Sequence, residues 1–122
     1  KFGSSAEADG YKRQQFGPLV VRAILCNWLV GLAVFCAAQA KDMMGKYIGI
    51  LLPISAFVAI GFEHSVANMF LLPAGLLTGA PVSIMTTIVK NFLPVTLGNA
   101  IAGVLVVGAG FSWQFGKLGE GK

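Results

Sequence analysis

Apolar residues fill three long stretches of the chain, and short polar stretches separate them. The first, "LVVRAILCNWLVGLAVFCAAQA", runs from Leu19 to Ala40. As a helix it would reach about 33 Å, enough to cross the hydrocarbon core of a bilayer. Pro18 suits a first helical turn, and Arg22 lies close enough to the start to snorkel toward headgroups. The polar hexapeptide "KDMMGK" at 41–46 turns the chain back antiparallel, and Tyr47 opens the next region at interface level. That region, Tyr47 to Leu77, would extend about 46 Å as one unbroken helix, too long for an ordinary span. In its middle, "GFEHSVANMF" sets Glu63, His64 and Asn68 among apolar neighbours, with Gly61 before them and Pro73 and Gly75 after. A break near residues 61–66 answers both the excess length and the polar cluster. Unwound backbone is tolerated at membrane depth only where protein or a water-filled cavity surrounds it, so the cluster should face inward, toward a path.

Residues 78–91 read as a loop followed by a short amphipathic or re-entrant helix, with Lys90 near a boundary. Residues 92–113, "FLPVTLGNAIAGVLVVGAGFSW", read as a third span with Pro94 in its first turn. Gly98, Ala102, Gly103, Gly108 and Gly110 give that span small faces for close helix packing, and Trp113 suits an aromatic belt. The expected fold is therefore an all-α integral membrane protein. Its spans fall at about 19–40, at 47–77 with a break near 61–66, and at 92–113. A polar lead-in occupies 1–18 and a polar tail 114–122.

Composition agrees with lipid as the solvent. Apolar residues make up 56% of the chain and charged residues 11%, with a mean hydropathy of +0.76. A soluble domain carries about 25% charged residues. Cys26 and Cys36 lie ten apart in one helical run, which separates their Cα atoms by roughly 15 Å, too far for a disulfide. They read as small buried hydrophobes. The formal charge of +4 comes from scattered basic residues without interleaved aromatics, so no nucleic-acid partner is expected. Five basic residues on one side of the expected topology against four on the other do not orient the chain. No cluster has metal-ligand spacing, no nucleophile accompanies His64, and no glycine-rich loop follows a strand. Neither an enzyme nor a metal or cofactor site is expected. No signal peptide opens the chain, which begins at Lys1 as a piece of a longer protein would.

The polar residues divide by what each can do. His64 is the sole histidine. An ionisable group inside a span marks a functional site by default, and imidazole exchanges protons near neutral pH. The plainer role is a neutral ring that bonds two helices. Neighbours on a helix point about 100° apart, so if His64 faces a path, Glu63 faces protein. There it would accept hydrogen bonds from a neighbouring span or from backbone freed at the break. Asn27 and Asn68 can each line a pore or satisfy freed backbone groups, and Asn99 reads as helix–helix glue. Lys12, Lys90 and Arg22 read as interface anchors, or as part of a vestibule that concentrates anions.

Three strings, "RAILCNWLVGLAVF" at 22–35, "GFEHSVANMF" at 61–70 and "NFLPVTLGNAIAG" at 91–103, together resemble the formate/nitrite transporter family. That family includes channels and transporters for formate, nitrite, hydrosulfide and lactate. The resemblance covers residues 20–111. It implies an aquaporin-like protomer of six spans and assembly as a homopentamer with one path per protomer. This chain would supply the last three spans and would need the N-terminal half, from the same chain or a partner. It further implies that His64 is the central histidine between two apolar constrictions and that Asn27 lies close to it across the path. The family's vestibule lysine stands sixteen residues before that asparagine. Here Tyr11 holds that spacing and Lys12 follows it, so Lys12 is the vestibule candidate. Glu63, Asn68 and Asn99 are expected as structural support near the break. An inner (plasma) membrane location with a cytoplasmic C-terminus also follows from the resemblance.

The implied function is transport of a small monovalent anion such as formate or nitrite, coupled to a proton through His64. A pH-gated passive anion channel is the alternative within transport. A membrane subunit that assembles but does not transport is the alternative outside it.

Overall fold

The computed structural model describes residues 15–79 and 81–116, and every regular element among them is helical. Helix α1 spans Phe16–Gln39, α2 Met43–Ile60, and α3 Ser65–Leu77. Helix α4 runs from Ile84 to Phe115, and its turns widen to π-helix at Ile88–Phe92 and Ala102–Gly108. Helices α1, α2 and α4 are long and apolar enough to cross a membrane, while α3 is a shorter apolar helix.

Helix α1 packs against both α2 and α4, and α3 meets α4 more lightly. The turn between α1 and α2 is fixed by Asp42, whose side chain accepts the Gly45 N–H at 2.8 Å and caps α2. Between α1 and α4 the contact is close enough to exclude side chains. A Cβ on Gly98 would stand 2.6 Å from the Val20 carbonyl oxygen and 2.7 Å from Ala23 Cβ. Leu19, Ala23 and Val95 form the buried apolar cluster beside this contact. Much of the remaining buried surface is small or polar: Ser65, Asn68, Asn91 and Asn99 are inside, while Trp28, Val34, Leu52 and Phe70 are exposed. That inversion suits a chain whose surroundings are as apolar as its large side chains.

The α2–α3 break is built from its own sequence. Gly61 adopts φ 77°, ψ 38°, the left-handed conformation that glycine alone enters without a Cβ penalty. The Phe62 N–H then reaches back to the Phe57 carbonyl at 3.0 Å and the Gly61 N–H to the Val58 carbonyl at 3.2 Å. These two bonds form a Schellman ending of α2. Three residues later His64, in extended conformation, caps the start of α3.

The third apolar helix differs from the sequence expectation. It begins at Ile84, not 92, and the segment expected to hold a separate short helix is its first two turns. Ser83 starts it by accepting the Thr86 N–H at 3.2 Å. Lys90 and Pro94 therefore lie inside the helix rather than at its edge. Pro94 has no N–H to give the carbonyl one turn before it. The preceding turn is the one that widens, with the Leu93 N–H bonded to the Ile88 carbonyl five residues back. A π-turn and a proline in one place are recognised causes of helix irregularity, and here they coincide.

Candidate functional site

The polar residues of the second and third apolar regions converge on the break. Asn99, near the middle of α4, is the centre of the network. Its Nδ2 donates to the Ala23 carbonyl of α1 at 2.9 Å and to the Glu63 carbonyl of the break at 3.1 Å. Its Oδ1 accepts from the Ser65 N–H at 3.0 Å and from Ser65 Oγ at 3.1 Å. Two donors and two lone pairs are all that a side-chain amide has, and all four are in use. The Asn99 backbone carbonyl takes a further bond from Asn27 Nδ2 at 2.6 Å.

A second group sits beside it. Asn68 Nδ2, on α3, donates to Glu63 Oε2 at 2.8 Å and to Asn91 Oδ1 at 2.9 Å. Asn91 Nδ2 approaches the same Glu63 oxygen at 3.5 Å. Glu63, Asn68 and Asn91 thus form a closed triangle that ties the break, α3 and α4 together. Among the described residues no buried side-chain nitrogen or oxygen lacks a hydrogen-bond partner. A buried polar network of this kind holds one arrangement firmly, because each bond lost leaves a group unsatisfied in low dielectric.

His64 stands between the two groups and joins neither through its ring. Its Nδ1 accepts the Val66 N–H at 3.2 Å, the N-cap bond of α3. An imidazole nitrogen that accepts carries no proton, so the neutral ring holds its proton on Nε2. The Phe57 ring lies against it, centroids 5.7 Å apart. The first two N–H groups of α3 are therefore taken by Asn99 and by His64, and Nε2–H is the donor of the neutral imidazole ring.

Of the sequence candidates, His64, Glu63, Asn68 and Asn99 are brought together at the break. Asn27 joins them through the Asn99 carbonyl and stands against Gly103, where an added Cβ would lie 3.0 Å from its Nδ2. Lys12 lies outside the described residues. Two members of the network were not among the candidates: Asn91 and Ser65. The expected boundaries put Asn91 at the end of the segment before a third span at 92–113, whereas the helix begins at Ile84 and runs through it. On an unbroken α-helix it would point about 80° away from Asn99, eight residues on. The π-turn holds one extra residue around Asn91. With that residue taken out of the count, the two asparagines are only about 20° apart, and both are buried. Pro94 was the signal available in the sequence. Ser65 follows from its place as the first residue of a helix whose cap is His64.

The family model described as formate/nitrite transporter matches residues 3–113. A "Probable formate transporter" of Methanothermobacter thermautotrophicus is 54% identical over 86 residues, covering 70% of this chain and 31% of that protein. "Formate channel FocA" of Escherichia coli K12 is 37% identical over 119 residues, covering 83% of this chain and 42% of that protein. Among solved structures, a "Pentameric formate channel with formate bound" superposes with a TM-score of 0.77 at 30% identity, over 91% of this chain and 51% of that one. The chain thus spans about a third to two-fifths of the length of these curated relatives and half of the solved channel. With the family model matched over residues 3–113, nearly its whole length, this chain belongs to the formate/nitrite transporter family.

Proposed function

We propose that the protein to which this chain contributes carries a small monovalent anion such as formate across an inner (plasma) membrane, with His64 as the group that meets the anion and couples it to a proton. In this reading the chain supplies the last three spans of a six-span protomer, five protomers assemble, and the C-terminus lies in the cytoplasm. The relatives' names and the pentameric channel superposed on this chain support the substrate class and the assembly.

The observation that carries the reading is the state of His64. It sits in a capped break between two apolar helices, and its Nδ1 accepts the Val66 N–H, which leaves Nε2 to carry the proton of the neutral ring. An isolated ion in hydrocarbon costs on the order of tens of kcal/mol, so an anion needs either a donor or a proton to cross. The Nε2–H supplies the donor directly. Supplying the proton takes one more step. A neutral imidazole that gave up its Nε2 proton would be left an anion, so the acid must be the imidazolium, with protons on both nitrogens. The Nδ1 proton of that imidazolium faces the Val66 N–H, and the cap bond opens. Transfer from Nε2 to the carboxylate then yields the neutral acid and an imidazole protonated at Nδ1. The resting tautomer returns when Nε2 regains a proton, Nδ1 loses its own, and the Val66 bond re-forms.

The test is to reconstitute the assembled protein in liposomes and follow formate uptake, internal pH and membrane current together. Proton-coupled transport brings in about one proton per formate with little net current. A large formate current without proton entry overturns the coupling and leaves the passive channel.

A further inference from the structure

The two peptides that flank His64 are held by a single side chain. Asn99 Nδ2 donates to the carbonyl of Glu63, immediately before the histidine, and Asn99 Oδ1 accepts the N–H of Ser65, immediately after it. The same Nδ2 also grips the Ala23 carbonyl of α1. His64 is thus splinted on both sides by α4, with α1 as the backing. Helix α3 alone does not fix its first residue in this way, because the first N–H groups of any helix lack intrahelical partners. We infer that Asn99 is the positioning residue for His64: by pinning both neighbouring peptides it fixes the backbone from which the imidazole reaches the Val66 N–H, and so sets which ring nitrogen carries the proton and where it points.

The inference rests on the reading of His64 given above, but its first test does not require transport. Two variants remove the splint by different routes. Asn99→Asp keeps the shape and the acceptor but replaces both Nδ2 donors with a carboxylate oxygen that faces two carbonyls. Ser65→Pro removes the N–H and the hydroxyl that bond Asn99. Proline is well suited to the first position of a helix, and the residue before a proline favours the conformation that His64 already has, φ −117°, ψ 116°. Ser65→Ala is the control, since it keeps the backbone N–H.

The experiment uses the full protein, selectively 15N-labelled at histidine and reconstituted in bilayers. Solid-state NMR reads the ring tautomer, and liposome flux reads formate uptake against pH. Wild type and Ser65→Ala should show one population with the proton on Nε2. Asn99→Asp and Ser65→Pro should show mixed tautomers, a displaced pH profile, and formate uptake lowered roughly ten- to a hundredfold in assembled protein. Should either variant assemble with the wild-type tautomer and pH profile, Asn99 is packing only and the inference falls. Failure of both to assemble also overturns it, since the network is then a requirement for folding rather than for aim. If the tautomers mix but wild type carries no formate, the positioning stands and the transport reading fails.

Discussion

Asn68 Nδ2 lies 2.8 Å from Glu63 Oε2, so the helix after the break holds the carboxylate before it. Removing Asn68 takes one donor from Glu63 Oε2 and one from Asn91 Oδ1, and a donor lost from a buried network costs more than the bond contributed. Asn68→Leu should destabilise the assembled protein by about 1–3 kcal/mol, read as a lower unfolding temperature in detergent. Asn68→Asp should cost more, since it sets a second carboxylate against the first. An Asn68→Leu protein as stable as wild type would show that the triangle with Asn91 contributes nothing.

Gly61 is needed for its backbone and not for space. No atom lies within 4 Å of where its Cβ would be, yet its φ is +77°. Gly61→Ala should therefore cost about 1–2 kcal/mol through left-handed strain alone. Gly61→Asn should cost less, because asparagine enters that region more readily. Thermal unfolding of the two variants side by side gives the order, and the reverse order would contradict the Schellman ending of α2.

At Gly98 the constraint is the opposite. The position is helical, and an added Cβ would stand 2.6 Å from the Val20 carbonyl oxygen, which is backbone and cannot rotate away. Gly98→Ala should force α1 and α4 apart and destabilise by about 1–3 kcal/mol. Gly110, later in the same helix, has open space at its Cβ. Gly110→Ala should be neutral or stabilise by up to about 1 kcal/mol through helix propensity. Equal unfolding temperatures for the two variants would mean that the α1–α4 contact is looser than the structure has it.

Gly61 also shows why part of the fold was legible in the sequence. A glycine followed within three residues by Glu63 and His64, inside an apolar run, combines a helix stop with groups that lipid cannot accept. Length was the weaker argument. Helix α4, at 32 residues, is as long as the region judged too long to span unbroken, yet it continues without a break. Two π-helical stretches adjust its register, and such turns leave no mark in hydropathy. Pro94 was therefore taken for a helix start when it lies inside one, directly after a widened turn. His64, Glu63, Asn68 and Asn99 were visible as polar residues out of place. Their partners were not, because pairings such as Asn99 with Ala23 join residues 76 positions apart.

His64→Asn separates the helix cap of the structure from the proposed proton coupling. Asparagine is among the best N-cap residues, and its Oδ1 can accept the Val66 N–H that Nδ1 now takes. The variant should thus keep the start of α3 and lose no more than about 1 kcal/mol, through the contact with the Phe57 ring. It has no titratable proton. If His64 couples formate to a proton, uptake driven by an inward proton gradient should fall by at least about a hundredfold, the scale of a lost general acid. Any remaining formate flux should become electrogenic, because the anion then crosses without a partner charge. His64→Leu, which removes the cap as well, should lose stability by about 1 kcal/mol in addition. The measurement is liposome uptake with and without a pH gradient, set beside current under a fixed voltage. Gradient-driven uptake that survives in His64→Asn at the wild-type rate would place the proton on some other group and reduce His64 to a helix cap.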